Sequence, residues 1–209
     1  MNDAVRPLSK QLARQEFRRL RRGLDPAVRA AAGPAMAAHA LAMLPGPAGP
    51  GSTVAAYLSA GTEPGTEELL QGLAESGFSV VVPVCEPEFQ LSWCRWKPGI
   101  ELGPGLFPSI PEPVGPRVSA AGLPEPEAIF VPALAVDAAG IRMGKGGGYY
   151  DRFLAGLRAA GRRIPAVAMV YGHELVSSGT WSADGFDQPV DAVLTPAGWT
   201  PLPLEPVYT

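Results

Sequence analysis

The sequence predicts an α/β protein, a three-layer sandwich built on a mostly parallel, Rossmann-like central sheet. Three observations carry that reading. Short, nearly unbroken apolar runs, TVAAYLS (53–59), FSVVVPV (78–84), AIFVPALAV (128–136), AVAMVY (166–171) and DAVLT (191–195), have the composition of strands covered on both faces. Helical patterns lie between several of them, as the crossovers of a parallel sheet require. A hydrophobic content of 46% and a charged content of 18% over 209 residues suffice for a substantial core, and the length fits one domain spanning 1–209.

The elements follow in order. Residues 5–24 suit a helix beginning after Pro7, with Leu8, Leu12, Leu20 and Leu24 on an apolar stripe and Lys10, Arg14 and Arg18 sharing the neighbouring face. Asp25-Pro26 reads as an N-cap with proline in the first turn of a second, Ala-rich helix reaching about Leu44. PGPAGPGS (45–52) interrupts, separating an N-terminal helical region (about 5–44) from an α/β body (about 53–195). Within the body, a helix opening at Thr66 and ending near Gly77 joins the first two strands. LSWCRW (91–96) alternates like a strand with one solvated face, the Pro-rich 98–126 reads as a loop over the sheet, and GYYDRFLAGLRAAG (148–161) is helical.

Several functions lose support at this level. A net charge of −3 offers no electrostatic case for nucleic acid. Cys85 and Cys94 match no zinc spacing and point to a reducing compartment, with a disulfide between them the minor alternative. The N-terminus has no leader-like apolar core and no run is long enough to span a bilayer, so the expectation is a cytoplasmic protein with no membrane partner, and a monomer.

The most unusual stretch is RMGKGGGYYDR (142–152), four glycines around one lysine at a helix start. Glycine weakens ordered structure, so such a concentration is either a flexible connection or a surface where backbone N–H groups approach something closely. A helix N-terminus at the C-terminal edge of a sheet favours phosphate, to which Lys145 would add a charge. Neither the P-loop nor the dinucleotide fingerprint fits: Lys145 is followed by Gly146, and Tyr149 stands where the third fingerprint glycine belongs.

The larger pattern is more specific. PALAVDAAGIRMGKGGGYYDRFL (132–154), with Lys10-x-x-x-Arg14, YLSAGTEPGT (57–66), IPEP (110–113) and FDQPVDAVLT (186–195) in the same order, resembles the 5-formyltetrahydrofolate cyclo-ligases over nearly the whole chain. The resemblance implies ATP-dependent closure of 5-formyltetrahydrofolate to 5,10-methenyltetrahydrofolate, with release of ADP and phosphate. The formyl oxygen attacks the γ-phosphate of ATP, and the other folate nitrogen then displaces phosphate. Phosphorylation makes a poor amide leaving group into a good one, and the protein's share is positioning and charge neutralisation.

By the same resemblance, Lys10 and Arg14 contact the nucleotide, as does the loop of Arg142, Met143, Gly144, Lys145, Gly146, Gly147, Gly148, Tyr149 and Tyr150. Lys145, Arg14 and Tyr149 are the catalytic candidates. Some members of the family carry lysine where this chain has Gly147, which leaves open which side chain meets the γ-phosphate. Leu58, Glu63 and Tyr149 correspond to folate contacts, and a carboxylate at Glu63 suits two parallel N–H donors on a pterin. Asp151 and Asp187 correspond to ligands of the Mg²⁺ that accompanies ATP, with Asp191 the alternative to Asp187, although the head of a strand suits a local structural role. His39 and His173 are read as structural. Two other readings remain: a non-catalytic or regulatory nucleotide-binding relative, and an ATP-dependent ligase of the same superfamily acting on another small molecule.

Overall fold

The computed structural model describes residues 7–49, 51–108 and 110–203; the first six residues and the last six of the C-terminal tail, both covered by the sequence reading, lie outside them. Five parallel strands form the middle of an eight-stranded sheet: β1 (Thr53–Ala55), β2 (Ser79–Glu86), β7 (Pro126–Pro132), β10 (Ala166–Met169) and β12 (Ala192–Thr195), in the spatial order β2-β1-β7-β10-β12. Antiparallel strands finish both sides, β13 (Gly198–Pro201) beside β12, then β3 (Gln90–Arg95) and β6 (Arg117–Ser119) beside β2. The apolar runs become parallel strands because both faces are covered. Above one face lie α2 (Pro26–Met43) and α3 (Glu67–Glu75), whose Met36, Ala40, Leu69 and Leu73 pack on Val54, Val80 and Val167. Against the other lies α4 (Tyr149–Ala159), with Phe153, Leu154 and Leu157 on Ile129, Val131 and Ala168.

This topology positions the site. The helix between β1 and β2 and the helix between β7 and β10 lie on opposite faces, so the winding reverses between β1 and β7. In open α/β sheets a crevice forms beyond the strand ends at that reversal. The segments leaving β1 and β7 carry Leu58 and Glu63 on one side and the glycine loop on the other.

The first helix differs in face and extent from the expectation. It spans α1, Lys10–Arg22, capped by Ser9, whose hydroxyl accepts the Leu12 N–H. Leu8 and Leu12 are exposed, the latter 55%, and the buried positions are Ala13, Phe17 and Arg21. These repeat every four residues, like the predicted stripe, but on another face. Phe17 meets Trp181 edge-to-face, and Ala13 packs among Leu134, Ala135 and Met143. Arg21 is buried because the buried Glu174 carboxylate takes it in a bidentate ion pair and the Ala133 carbonyl accepts a further hydrogen bond at 2.5 Å.

Other departures have local causes. LSWCRW is a strand, but Leu91–Cys94 are buried instead of alternating, since Trp93 packs against Phe153 of α4 and β6 covers the edge. The Pro-rich segment is not a plain loop. It forms the hairpin of β4 (Leu102–Pro104) with β5 (Pro111–Pro113) before reaching β6. The run AIFVPALAV breaks after Pro132, and its remainder, β8 (Ala135–Asp137), pairs antiparallel with β9 (Arg142–Met143) and parallel with β11 (Leu175–Val176). The glycine loop therefore leaves a small hairpin, not the central strand itself. The C-terminal segment supplies β13, so DAVLT is not the edge of the sheet. Cys85 and Cys94 are free. No helix among the described residues is long and apolar enough to cross a membrane.

Candidate functional site

The glycine loop is a partition between two hollows. After β9 the chain runs through Gly144 to Gly148 and enters α4 with Gly148 as N-cap at φ +71°. Gly146, at φ +115°, also adopts a conformation that side chains disfavour. Helix α1 holds the loop from outside, where Arg14 Nε donates to the Gly144 carbonyl (3.1 Å) and Arg18 Nη2 to that of Lys145 (3.1 Å). The Gly144 and Lys145 carbonyls are thus turned to arginines, and the start of α4 remains for a ligand.

On one side lies a hollow of about 350 Å³, mostly apolar, walled by Leu58, Pro83, Leu91, Phe107, Ile110 and Tyr149. Three carboxylates, Glu63, Glu112 and Asp151, also line it. Glu63 accepts the Ala60 N–H at 2.8 Å and pairs with Lys145 Nζ at 2.8 Å. Its side chain is only 6% exposed, whereas that of Lys145 is 46% exposed. Near it, the hydroxyls of Tyr57 and Tyr150 are buried without a hydrogen-bond partner among the described residues. Burial first, then the Glu63 charge, pushes both tyrosines well above their ordinary pKa, so both stay protonated donors. Buried unpartnered donors are costly, and their place in a hollow suits a ligand acceptor.

On the other side lies a polar hollow of about 460 Å³ bounded by Lys10, Arg14, Met143, Gly146, Asp184 and Asp187. Arg142, Gly144, Gly148 and Asp151 face both hollows. Two of the basic groups here are matched by acids. Lys10 bridges Asp184 (2.7 Å) and Asp187 (2.6 Å), and Arg142 pairs with Asp151 at 2.7 Å. Burial works to lower the Lys10 pKa, but the hydrogen bonds and charges of the two aspartates outweigh it and raise it. Asp151 also accepts the Gln188 N–H at 3.2 Å, tying the start of α4 to the 184–188 turn.

The predicted residues thus fall into two sets. Lys10, Arg14, Met143, Gly146 and Asp187 face the polar hollow; Leu58, Glu63, Lys145, Gly147, Tyr149 and Tyr150 face the apolar one. Lys145, Gly147, Tyr149 and Tyr150, all taken as nucleotide contacts, line only the latter. Asp191 accepts the Ala166 N–H at 2.8 Å, the local structural role foreseen for it. His173 stacks on Tyr171. Sequence reasoning missed Glu112, Asp184, Arg152 and Phe186, the last 87% exposed on the rim of the polar hollow. An exposed phenylalanine between two aspartates had no periodic pattern to mark it; Glu112 stood in a segment read as loop.

Magnesium can be tested against these side chains. It takes hard oxygen donors and commonly needs only one or two carboxylates beside substrate phosphates. Asp151 and Asp187 line the polar hollow together, and no group of three or more His, Cys, Asp or Glu is assembled among the described residues. The donor set fits an ion that arrives with a phosphate ligand.

Comparison with known proteins gives a consistent result. A family model described as the 5-formyltetrahydrofolate cyclo-ligase family matches residues 6–196. The 5-formyltetrahydrofolate cyclo-ligase of Mycolicibacterium smegmatis is 36% identical over 151 residues, covering 70% of this chain and 74% of the relative. The NMR structure of Aquifex aeolicus 5,10-methenyltetrahydrofolate synthetase superposes with a TM-score of 0.68 at 25% identity, over 96% of this chain and 95% of that one. A 5,10-methenyltetrahydrofolate synthetase from Mycoplasma pneumoniae shares the fold at a TM-score of 0.69 and 17% identity, over 90% of this chain and 98% of that one.

Proposed function

Since the chain belongs to the 5-formyltetrahydrofolate cyclo-ligase family, we propose that its two hollows take the two substrates of that reaction, the folate in the apolar one and ATP in the polar one. The observation that carries this assignment is the shared partition. Group transfer between two bound molecules needs their reacting ends to meet, and the four residues facing both sides mark where they would.

In this reading the pterin enters the apolar hollow with its ring donors toward Glu63, while Tyr149 covers its face. Tyr57 and Tyr150 offer their free hydroxyls to its acceptors. The triphosphate lies along Lys10, Arg14 and the N–H groups of the glycine loop, with its γ-phosphate near Lys145. Lys145 neutralises charge that develops as the formyl oxygen bonds to phosphorus and ADP departs. The N10 nitrogen then attacks the activated carbon, N10 loses its proton, and phosphate leaves. Asp151 and Asp187 would hold the magnesium ion, which supplies charge neutralisation of the phosphates. Arg142 and Lys10, paired with these aspartates now, would pass to phosphate oxygens in exchange.

The test is absorbance of 5,10-methenyltetrahydrofolate formed from 5-formyltetrahydrofolate, ATP and Mg²⁺. Asp151→Asn and Asp187→Asn should each move the Mg²⁺ midpoint upward. A variant with an unchanged Mg²⁺ midpoint removes that aspartate from the metal site, and absence of product with the wild-type protein removes the reaction itself.

A further inference from the structure

Besides Glu63 and Asp151, the apolar hollow contains a carboxylate that the reaction as described leaves without work. Glu112, in β5, is only 4% exposed and lines the hollow with Glu63. Its Oε1 accepts the Cys85 N–H at 2.8 Å. The Cys85 thiol lies beside it and is pushed up to about 11, by burial first and then by the Glu112 charge and hydrogen bond. No lysine, arginine or histidine among the described residues forms an ion pair with it. The fold makes deliberate room for this side chain. A Cβ on Gly105 would lie 2.4 Å from its Cδ and 2.8 Å from its Oε2, and prolines flank it at 111 and 113. A buried carboxylate without a cation is costly unless donors saturate it, and a carboxylate can accept about four hydrogen bonds. One N–H and one weak thiol leave acceptor capacity on a side chain that lines the hollow.

The chemistry of the occupant says which donor would use it. With N5 formylated, the reduced pterin ring keeps three N–H-bearing groups: the adjacent N3–H and 2-amino, which match a single carboxylate, and N8–H. With Glu63 committed to the adjacent pair, the outer 2-amino N–H and N8–H are the ring donors left over, and of these only N8–H is lost on oxidation. In a fully oxidised pterin N8 carries a lone pair and no hydrogen, so a carboxylate facing it repels. We propose that Glu112 accepts a hydrogen bond from N8–H and is the residue by which the hollow selects reduced over oxidised folates. The proposal rests on the folate assignment above and adds a specificity that assignment does not contain.

The experiment measures the affinities of 5-formyltetrahydrofolate and of folic acid, by calorimetry without nucleotide, for wild type, Glu112→Gln and Gly105→Ala. Gln keeps an oxygen for the Cys85 N–H and turns an NH₂ donor to the hollow. Its affinity for 5-formyltetrahydrofolate should fall about tenfold or more, as for loss of a charge-assisted hydrogen bond, while that for folic acid holds or rises. Gly105→Ala displaces the carboxylate without altering any side chain that lines the hollow, and should move the ratio of the two affinities the same way. A ratio unchanged in both variants, or an equal loss for both ligands, overturns the role of Glu112 and leaves the folate assignment standing. Failure of the wild-type protein to bind either folate overturns both.

Discussion

Replacing Lys145 by methionine should tighten the binding of folate alone while weakening that of ATP. In the free protein Lys145 Nζ is 2.8 Å from Glu63, whose side chain is almost completely buried. At that distance the bare attraction is about 6 kcal/mol for an effective dielectric of ~20. Most of it is offset: Lys145 is nearly half exposed, solvent screens it, and holding a long side chain costs entropy. A pair with one buried and one exposed partner retains about 1–2 kcal/mol, between the surface and the fully buried cases. A folate that puts its N–H donors on Glu63 must displace the ammonium and lose that amount, and Lys145→Met removes the competitor. The expected outcome is a 5-formyltetrahydrofolate Kd about 5- to 30-fold lower in the variant when no nucleotide is present. Linkage adds a second readout. A non-hydrolysable ATP analogue that draws Lys145 away should tighten folate binding to the wild-type protein by a similar factor, folate should tighten the analogue equally, and the variant should lose this coupling. Calorimetric titrations of each ligand with and without the other measure all of it. A variant that binds folate less tightly than wild type, or equally, refutes the reasoning, because Lys145 would then be a folate contact and not a competitor for Glu63.

Four further outcomes follow from the structure. Arg21→Ala leaves Glu174 as a buried unpaired carboxylate and should cost about 3–5 kcal/mol in denaturant unfolding; a loss under 1 kcal/mol would mean that water reaches the pair. Gly146→Ala meets nothing closer than the Arg14 guanidinium at 3.8 Å, so its cost is the φ of +115°, about 1–2 kcal/mol, with weaker ATP binding and a lower melting temperature. Gly156→Ala, in open space on α4, should be neutral or stabilising, and equal effects at the two positions would discount the backbone argument. Cys85, raised from 9.0 to about 11, should react slowly with disulfide reagents at pH 8 and faster as pH climbs toward 11. Stability contributed by its buried thiol is full below pH 9 and lost as pH rises through 11, and labelling as fast as that of an unfolded control at pH 8 contradicts the shift.

How much of this was legible beforehand depends on the range of the interactions. The parallel strands were readable because burial on both faces leaves a local mark, an unbroken apolar run, and the glycine loop because its composition has few other uses. The basic face of α1 was readable as a face: Arg14 and Arg18 both reach the loop. Its packed side was not. A leucine stripe outweighed Ala13, Phe17 and Arg21 on paper, since an arginine is assigned to solvent unless its partner is known, and Glu174 lies far along the chain. The same blindness hid the pairing of Lys145 with Glu63. Each residue was marked separately, for different ligands, and only the folded chain brings them together. The hairpin holding Glu112 was obscured by prolines, which signal turns more strongly than they permit strands. The side of the partition on which Tyr149 and Tyr150 fall depends on the turn into α4, fixed by glycine φ values that residue names alone do not specify.

The thin partition also bears on how the protein could be blocked. Two pockets that back onto the same few residues, Arg142, Gly144, Gly148 and Asp151, lie within reach of one tethered molecule. Under the proposed assignment of the two hollows, a compound joining a pterin to a polyphosphate through a short spacer would present its second half at an effective concentration in the millimolar range once the first half is seated. Its affinity would then exceed that of either half by orders of magnitude, and its spacer length would serve as a ruler for the gap across the loop. Proteins that share only the nucleotide half would be spared, because selectivity would come from the distance between the halves as much as from either half alone.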